Sequence, residues 1–193
     1  MGKFDGVMIV SDFDDTFFPE SHVLPEANRQ AVAYFQSEGG IFTIATGRAR
    51  TTFRRYVALA NPNAPVILAN GAQLYDFSRE VLVEERTVPE TIAADLLELV
   101  KLVPEVGLEA YHGEDIYIWN PNEWTWFHLE RAKCTAQERE IADMPQPWGK
   151  AILHQKNSIL KEAQRLFLDR WGDRYEAIFS NFHMLELTAK GST

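Results

Sequence analysis

Three short apolar runs, each closed by polar residues or glycine, constrain this chain more than any other feature. They are Val7-Met8-Ile9-Val10 before Ser11-Asp12-Phe13-Asp14-Asp15-Thr16, Ile41-Phe42-Thr43-Ile44-Ala45 before Thr46-Gly47-Arg48, and Pro65-Val66-Ile67-Leu68-Ala69 before Asn70-Gly71-Ala72. Runs of this length read as buried strands. Between the first two, Pro25 suits the first turn of a helix, Ala27, Ala31, Tyr34 and Phe35 fall at helical spacing, and Gly39-Gly40 is a stop. Between the second and third, the pattern predicts a helix from about Ala49 to Leu59, ended by Asn61-Pro62. Strand, helix, strand, helix, strand is the signature of an α/β fold with a parallel sheet. Such sheets bind ligands at the carboxyl ends of their strands, where the acids, the threonine and the glycines fall.

The pattern changes after Ala72. Residues 73–76 and 80–87 read as a β-hairpin around Phe77-Ser78-Arg79, and Pro89 opens an Ala- and Leu-rich helix ending near Val103-Pro104. Leu108 to His112 and Asp115 to Trp119 read as strands around Gly113-Glu114. A helix over about 121–132, a Pro-rich loop over 143–149, a strand over 150–154 and a helix over 158–171 follow. A closing hairpin occupies 174–180 and 183–188. This mixture of helices and antiparallel strands predicts a separate α+β domain inserted after the third strand, with its boundary near Arg86.

Composition narrows the function. With 193 residues, 46% hydrophobic and 24% charged, the chain has the makings of a soluble globular protein with a core. Acidic residues outnumber basic ones 28 to 19, for a formal charge of -9. That balance argues against nucleic acid as a partner. An anionic substrate would therefore need a metal or a few fixed donors. No apolar run approaches a membrane span, residues 1–5 carry no signal-peptide core, and the single Cys134 fits a reducing compartment. The expected location is cytoplasmic.

Asp12 and Asp14 are the first chemical candidates. In an extended chain their side chains would point to one side. Two neighbouring carboxylates repel a phosphate, and a divalent cation such as Mg2+, which takes oxygen ligands and shares them with phosphate, resolves that. Their mutual repulsion also suits a division of labour, one ionised nucleophile beside one proton donor. A lone Asp-x-Asp equally fits a solvated turn. Thr46 offers a hydroxyl and Gly47 a close backbone approach, both at the start of the expected second helix, whose free N–H groups favour an anion. The plainer reading of that pair is a strand-to-helix turn with a cap.

Taken together, Asp12-Phe13-Asp14-Asp15-Thr16, Ile44-Ala45-Thr46-Gly47-Arg48 and Asn70-Gly71-Ala72 resemble the haloacid dehalogenase (HAD) superfamily of phosphohydrolases, in its Cof-like sugar-phosphatase branch with a type IIB cap. The resemblance implies a Rossmann-like parallel-sheet core over residues 1–85, an α+β cap over 86–186 closing over the site, and a return to the core from 187 to 193. It implies a Mg2+-dependent phosphatase of small phosphorylated metabolites, sugar phosphates foremost, working through an aspartyl-phosphate. Asp12 would be the nucleophile and Asp14 the general acid and base, and both would hold the metal. Thr46, Gly47, Arg48 and Asn70 would bind phosphate or substrate, with pairing to a core carboxylate an equal alternative for Arg48.

The family also uses a lysine and a later Gly-Asp-x-x-Asn-Asp motif. Leu185-Glu186-Leu187-Thr188-Ala189-Lys190-Gly191-Ser192-Thr193 follows the family's return from cap to core, and on this alignment the expected lysine would come one residue after Thr193. Lys190 falls in the variable part of that return, and no Gly-Asp-x-x-Asn-Asp occurs in the sequence. The alternative function is a catalytically incomplete fragment, or a phosphate- or partner-binding protein of the same fold. In the family's core the first strand is central, so Val7 to Val10 would here present an apolar edge open to pairing in a homodimer.

Other residues invite over-reading. His22, His112, His128, His154 and His183 share no ligand spacing and read as ordinary histidines, with His112 and His183 placed near turns that could face a substrate. Trp124, Trp126 and Phe127 read first as core packing and second as a sugar-stacking platform. Glu84-Glu85-Arg86 reads as a solvated strand edge.

Overall fold

The computed structural model describes residues 2–19 and 23–192. His22 lies outside the described residues. The chain divides into two compact units, residues 1–85 and 86–193.

The first unit is built on a five-stranded sheet. Its strands are β1 (Met8–Asp12), β2 (Ile41–Ala45), β3 (Val66–Leu68), β4 (Gln73–Asp76) and β5 (Val81–Glu85), in that spatial order. The β1–β2 and β2–β3 pairs are parallel, and β3–β4 and β4–β5 antiparallel. Helix α1 (Glu26–Ser37) crosses between β1 and β2 and buries Val32 and Phe35. Its partners are aromatic: Phe13, Phe17, Phe18, Phe42 and Phe53 share one buried cluster with Ile44, Val66, Leu68 and Tyr75. Phe13 stacks on Phe18 with centroids 5.2 Å apart. The β4–β5 turn is fixed by Asp76, whose Oδ1 accepts from the Ser78 and Arg79 N–H groups, the local bond that makes Asp a turn residue.

Two expectations fail in this unit. Val7 to Val10 do not form a buried strand, since each is 44–55% exposed. The sheet begins at β1, and the buried cluster draws on β2, β3 and the Phe13–Phe18 loop instead. The helix expected over 49–59 is two short pieces, α2 (Arg50–Arg54) and α3 (Val57–Ala60). Thr51 and Thr52 are weak helix formers, and the turn at Thr46 delays the helical start to Arg50.

The second unit carries a six-stranded sheet in the order β10-β11-β9-β6-β7-β8. The strands are β6 (Gly107–His112), β7 (Asp115–Trp119), β8 (Gln137–Glu138), β9 (Lys150–His154), β10 (Tyr175–Asn181) and β11 (Met184–Ala189). The two-residue β8 pairs parallel to β7 and left no sequence signal. Helices α4 (Ile92–Leu102), α5 (Glu123–Ala132) and α6 (Asn157–Trp171) complete it. Side chains alternate across a strand, and register makes the alternation coherent across the sheet. Leu108, Ala110, Ala151, Leu153, Leu185 and Leu187 join the α4 and α6 residues Leu96, Leu99, Leu160 and Phe167 in one dry core. The other face, where α5 packs on β6, carries Glu109 opposite Ile152 and Ile152 opposite Glu186. Helix α5 starts at a capping box: Asn122 Oδ1 accepts from the Trp124 and Thr125 N–H groups, and Thr125 Oγ1 accepts from the Asn122 N–H.

Among the described residues, no helix is long and apolar enough to cross a membrane.

Candidate functional site

The candidate site lies at the carboxyl ends of β1, β2 and β3. Strand β1 ends at Asp12, which sits opposite Ala45 in register, one residue before Thr46. The chain then reverses. Phe18 N–H donates to the Phe13 carbonyl at 2.8 Å, Asp15 N–H donates to the Phe18 carbonyl at 2.9 Å, and Asp15 takes a left-handed φ of 60°. Phe13 is fully buried and anchors this turn, leaving Asp12 and Asp14 exposed on either side of it. The same-face argument for the two aspartates rested on an extended chain, and the strand stops at the first of them.

Arg48 organises the next layer. Its Nε donates to Asp14 Oδ2 at 2.9 Å and its terminal nitrogen to Asp14 Oδ1 at 2.7 Å, a two-pronged pair. The guanidinium also lies 4.9 Å from the Tyr56 ring centroid. Burial disfavours the charged guanidinium, but the Asp14 hydrogen bonds and charge outweigh it and raise the Arg48 pKa. Of the two readings of Arg48, the geometry places it on a core carboxylate.

Thr46 is buried and its Oγ1 accepts from the Arg48 N–H at 3.2 Å, which is the turn that ends β2. The Thr46 N–H continues the sheet to the Ile67 carbonyl, and its carbonyl accepts from the Asn70 N–H. After β3, Ala69, Asn70 and Gly71 hold left-handed φ values of 50°, 54° and 86°. Gly serves there freely, Asn tolerates it, and Ala carries strain. The turn swings Asn70 against Gly47: a Cβ on Gly47 would lie 2.8 Å from Asn70 Oδ1. Gly47 is therefore required for close approach. The helix that follows is five residues long and starts at Arg50, so the expected helix N-terminus at Thr46 is not there.

The other candidates fall in the second unit. His112 Nδ1 lies 2.8 Å from the Pro147 carbonyl. His183 stacks on Trp124 with rings 3.5 Å apart and parallel within 3°. Trp126 and Phe127 are 52% and 60% exposed, so they are not core; Thr125 and Leu129 take the inward face of α5. Lys190 donates its N–H to the Arg174 carbonyl at the end of the β10–β11 hairpin. Glu84, Glu85 and Arg86 are exposed. Sequence reasoning passed over Glu109, which His128 and His154 both approach from distant parts of the chain.

A magnesium ion would suit the donors at the strand ends. Magnesium commonly keeps several waters and uses only one or two protein carboxylates beside a substrate phosphate. Asp12 and Asp14 offer oxygen donors of that kind, although both Asp14 oxygens are engaged by Arg48.

Comparison with known proteins gives the family and the fold. Residues 9–193 match the sequence model of the haloacid dehalogenase-like hydrolase family. Among curated proteins, "Putative phosphatase MG265" of Mycoplasma genitalium is 27% identical over 92 residues, 48% of this chain and 33% of that protein. A second "Putative phosphatase", of Mycoplasma pneumoniae, is 32% identical over 98 residues, 49% of this chain and 34% of that protein. The matched stretch thus spans about a third of these relatives. Among solved structures, a haloacid dehalogenase-like hydrolase of Bacteroides thetaiotaomicron superposes with a TM-score of 0.82 at 18% identity, covering 98% of this chain and 72% of its own. The sugar phosphatase BT4131, described as HAD subclass IIB, gives 0.80 at 17% identity, covering 97% of this chain and 71% of its own.

Proposed function

Since the chain belongs to the haloacid dehalogenase-like hydrolases, we propose that it carries the nucleophile side of a phosphatase site for small phosphorylated metabolites, with sugar phosphates as the first class to test. The observation that carries this reading is the convergence of Asp12, Asp14, Thr46, Arg48 and Asn70 at neighbouring strand ends. The domain assignment that goes with this reading makes residues 1–85 the core, 86–186 a subclass IIB cap and 187–193 the start of the return to the core.

The chemistry assigned to each residue follows from its setting. The exposed Asp12 carboxylate attacks phosphorus and the ester oxygen leaves, giving an aspartyl-phosphate that water then cleaves. Asp14 gives the leaving oxygen its proton and takes one from the water. Arg48 holds Asp14 in orientation and must loosen its grip for each transfer, because the fork engages both carboxylate oxygens. The Thr46 hydroxyl accepts from Arg48 and so keeps its own proton for a phosphoryl oxygen. Asn70, held by the left-handed turn, supplies an amide to the same group or to the substrate. Magnesium held by Asp12 and Asp14 would neutralise phosphate charge as the nucleophile approaches. The test is a phosphate-release assay on a panel of sugar phosphates with and without magnesium. Absence of turnover in a protein that includes the family's lysine and Gly-Asp-x-x-Asn-Asp segment would reject the reading.

The Arg48–Asp14 pair also favours a second reading. A carboxylate whose two oxygens are already bonded is poorly placed as an acid and base, as in a phosphate-binding protein without turnover. Phosphate binding that survives Asp12→Asn with no release from any ester would select it.

A further inference from the structure

The second unit contains a cluster that the phosphatase reading does not use. Glu109 on β6, His154 at the end of β9 and His128 on α5 bring one ligating atom each to within 4.8 Å of one another. His128 Nδ1 lies 3.0 and 3.1 Å from the two Glu109 oxygens, and His154 Nε2 lies 2.9 Å from Oε1. We propose that Glu109, His128 and His154 form a binding site for one divalent cation of the zinc class.

Four features of the cluster support it. The first is donor chemistry. Two imidazoles and a carboxylate suit zinc and its first-row neighbours, whereas magnesium and calcium prefer all-oxygen sets. The second is the aim of His154. Its ring is fully buried, yet neither ring nitrogen makes a hydrogen bond among the described residues. The 2.9 Å approach to Glu109 misses hydrogen-bond alignment. Two ligands of a common ion approach each other in this way, with each donor pair aimed at a point beside the line joining them. Tetrahedral ligands around zinc stand about 3.4 Å apart, so each histidine needs to move off Glu109 by about half an ångström, with all three ligating atoms already within 4.8 Å of one another.

The third is charge. Glu109 is fully buried at the centre of the cluster. The ammonium on the same sheet face, Lys150, lies on Glu186 at 2.8 Å. A dication would give the buried anion a formal counter-charge. The fourth is the supporting shell. Tyr111 donates its hydroxyl to Glu109 Oε2 at 2.7 Å, and Asn122 Nδ2 donates to the His154 carbonyl at 2.7 Å while capping the helix that carries His128. Outer bonds of this kind orient ligands and raise affinity. His128 keeps 22% of its side chain exposed, which gives an ion a way in and leaves a coordination position for water.

The site uses none of the residues assigned to the phosphatase chemistry, so its test does not rest on phosphatase activity. Tag-free protein, stripped with a chelator, is titrated with zinc alone by calorimetry and with cobalt(II) by visible absorption. The expected result is one zinc per chain, a higher melting temperature, cobalt bands from nitrogen and oxygen ligands, and no competition from equimolar magnesium. His128→Ala, at the most exposed ligand, should weaken zinc binding by about 100-fold or more, beyond the usual effect of an outer-shell change. Crystals of the unaltered protein soaked in zinc provide a measurement that needs no variant: an anomalous peak should lie among the three ligands. Failure to take up zinc, a peak elsewhere, or binding unchanged in folded His128→Ala would overturn the proposal.

Discussion

Lys150 and Glu186 form a buried ion pair across neighbouring strands, with Nζ 2.8 Å from Oε2 and about 95% of each side chain removed from solvent. Burial pushes the Glu186 pKa up, and the Lys150 charge and hydrogen bond outweigh it, so the pKa is lowered in the folded protein. Glu109 is lowered in the same sense. A carboxyl group whose folded pKa is depressed contributes stability above its unfolded pKa, and that contribution is lost as pH falls through the folded value. Stability should therefore decline below about pH 4.3, the ordinary glutamate pKa. Urea melts of the wild type from pH 6 downward should show this acid limb, and Glu186→Gln should flatten it while lowering stability at pH 6, because it strands Lys150.

Asp12→Asn should remove turnover and leave the fold intact, since the side chain is exposed at a strand end. An amide of the same shape cannot attack phosphorus. Activity within about tenfold of wild type, a barrier change of roughly 1.4 kcal/mol, would place the nucleophile elsewhere. Circular dichroism checks the fold and a phosphate-release assay the rate.

The Arg48–Asp14 pair should be worth little to stability despite its good geometry. Asp14 keeps 47% of its side chain in solvent, so screening limits the pair to about 1 kcal/mol or less. A double-mutant cycle with Arg48→Met and Asp14→Asn measures that coupling. In activity, Arg48→Lys should behave more like Arg48→Met than like wild type, because lysine cannot reproduce the fork. Equal kcat for Arg48→Lys and wild type would remove the orienting role.

Gly47→Ala should displace Asn70. The new methyl would lie 2.8 Å from Asn70 Oδ1, closer than real contacts allow, so the Asn70 side-chain amide has to turn away. The expected outcome is weaker phosphate binding with a small loss of stability. A Kd for magnesium-dependent phosphate binding unchanged within about twofold, roughly 0.4 kcal/mol, would mean that Asn70 does not face the ligand.

The open β1 edge leads us to propose self-association. Met8, Ile9 and Val10 on the first strand of the sheet, and Val7 just before it, are apolar and about half exposed, an arrangement that templates strand pairing. Light scattering on residues 1–193 should show a concentration-dependent dimer or larger species, and Ile9→Lys should shift it to monomer. A monomer at all concentrations would refute this.

The fold was legible wherever periodicity was strong. The strands at 41–45, 115–119 and 150–154 and the helix α6 stand where apolar spacing put them. What sequence could not supply was environment. Four apolar residues in a row at 7–10 read as a buried strand; only the family resemblance pointed to the exposed apolar edge that β1, first in the sheet, presents. Trp126 and Phe127 read as core although α5 turns them outward. At the candidate site, residue types pointed to Asp12, Asp14, Thr46, Gly47 and Asn70 and left Arg48 evenly between phosphate and a core carboxylate; the carboxylate it meets, Asp14, lies far from it in sequence. Glu109, His128 and His154 escaped for the same reason. Their separations match no ligand pattern, and strand register together with a helix cap brings them together.

The two-faced sheet of the second unit imposes a parity rule on substitution. On β6 the odd-numbered positions Gly107, Glu109 and Tyr111 share the face that carries the polar network, while on β9 and β11 the even-numbered positions do, among them Lys150, His154, Glu186 and Thr188. Positions of opposite parity are committed to the dry core, where a change of one methylene is felt. New chemistry can therefore enter this unit one residue in two, along three strands at once, without the packing on the opposite side registering the change.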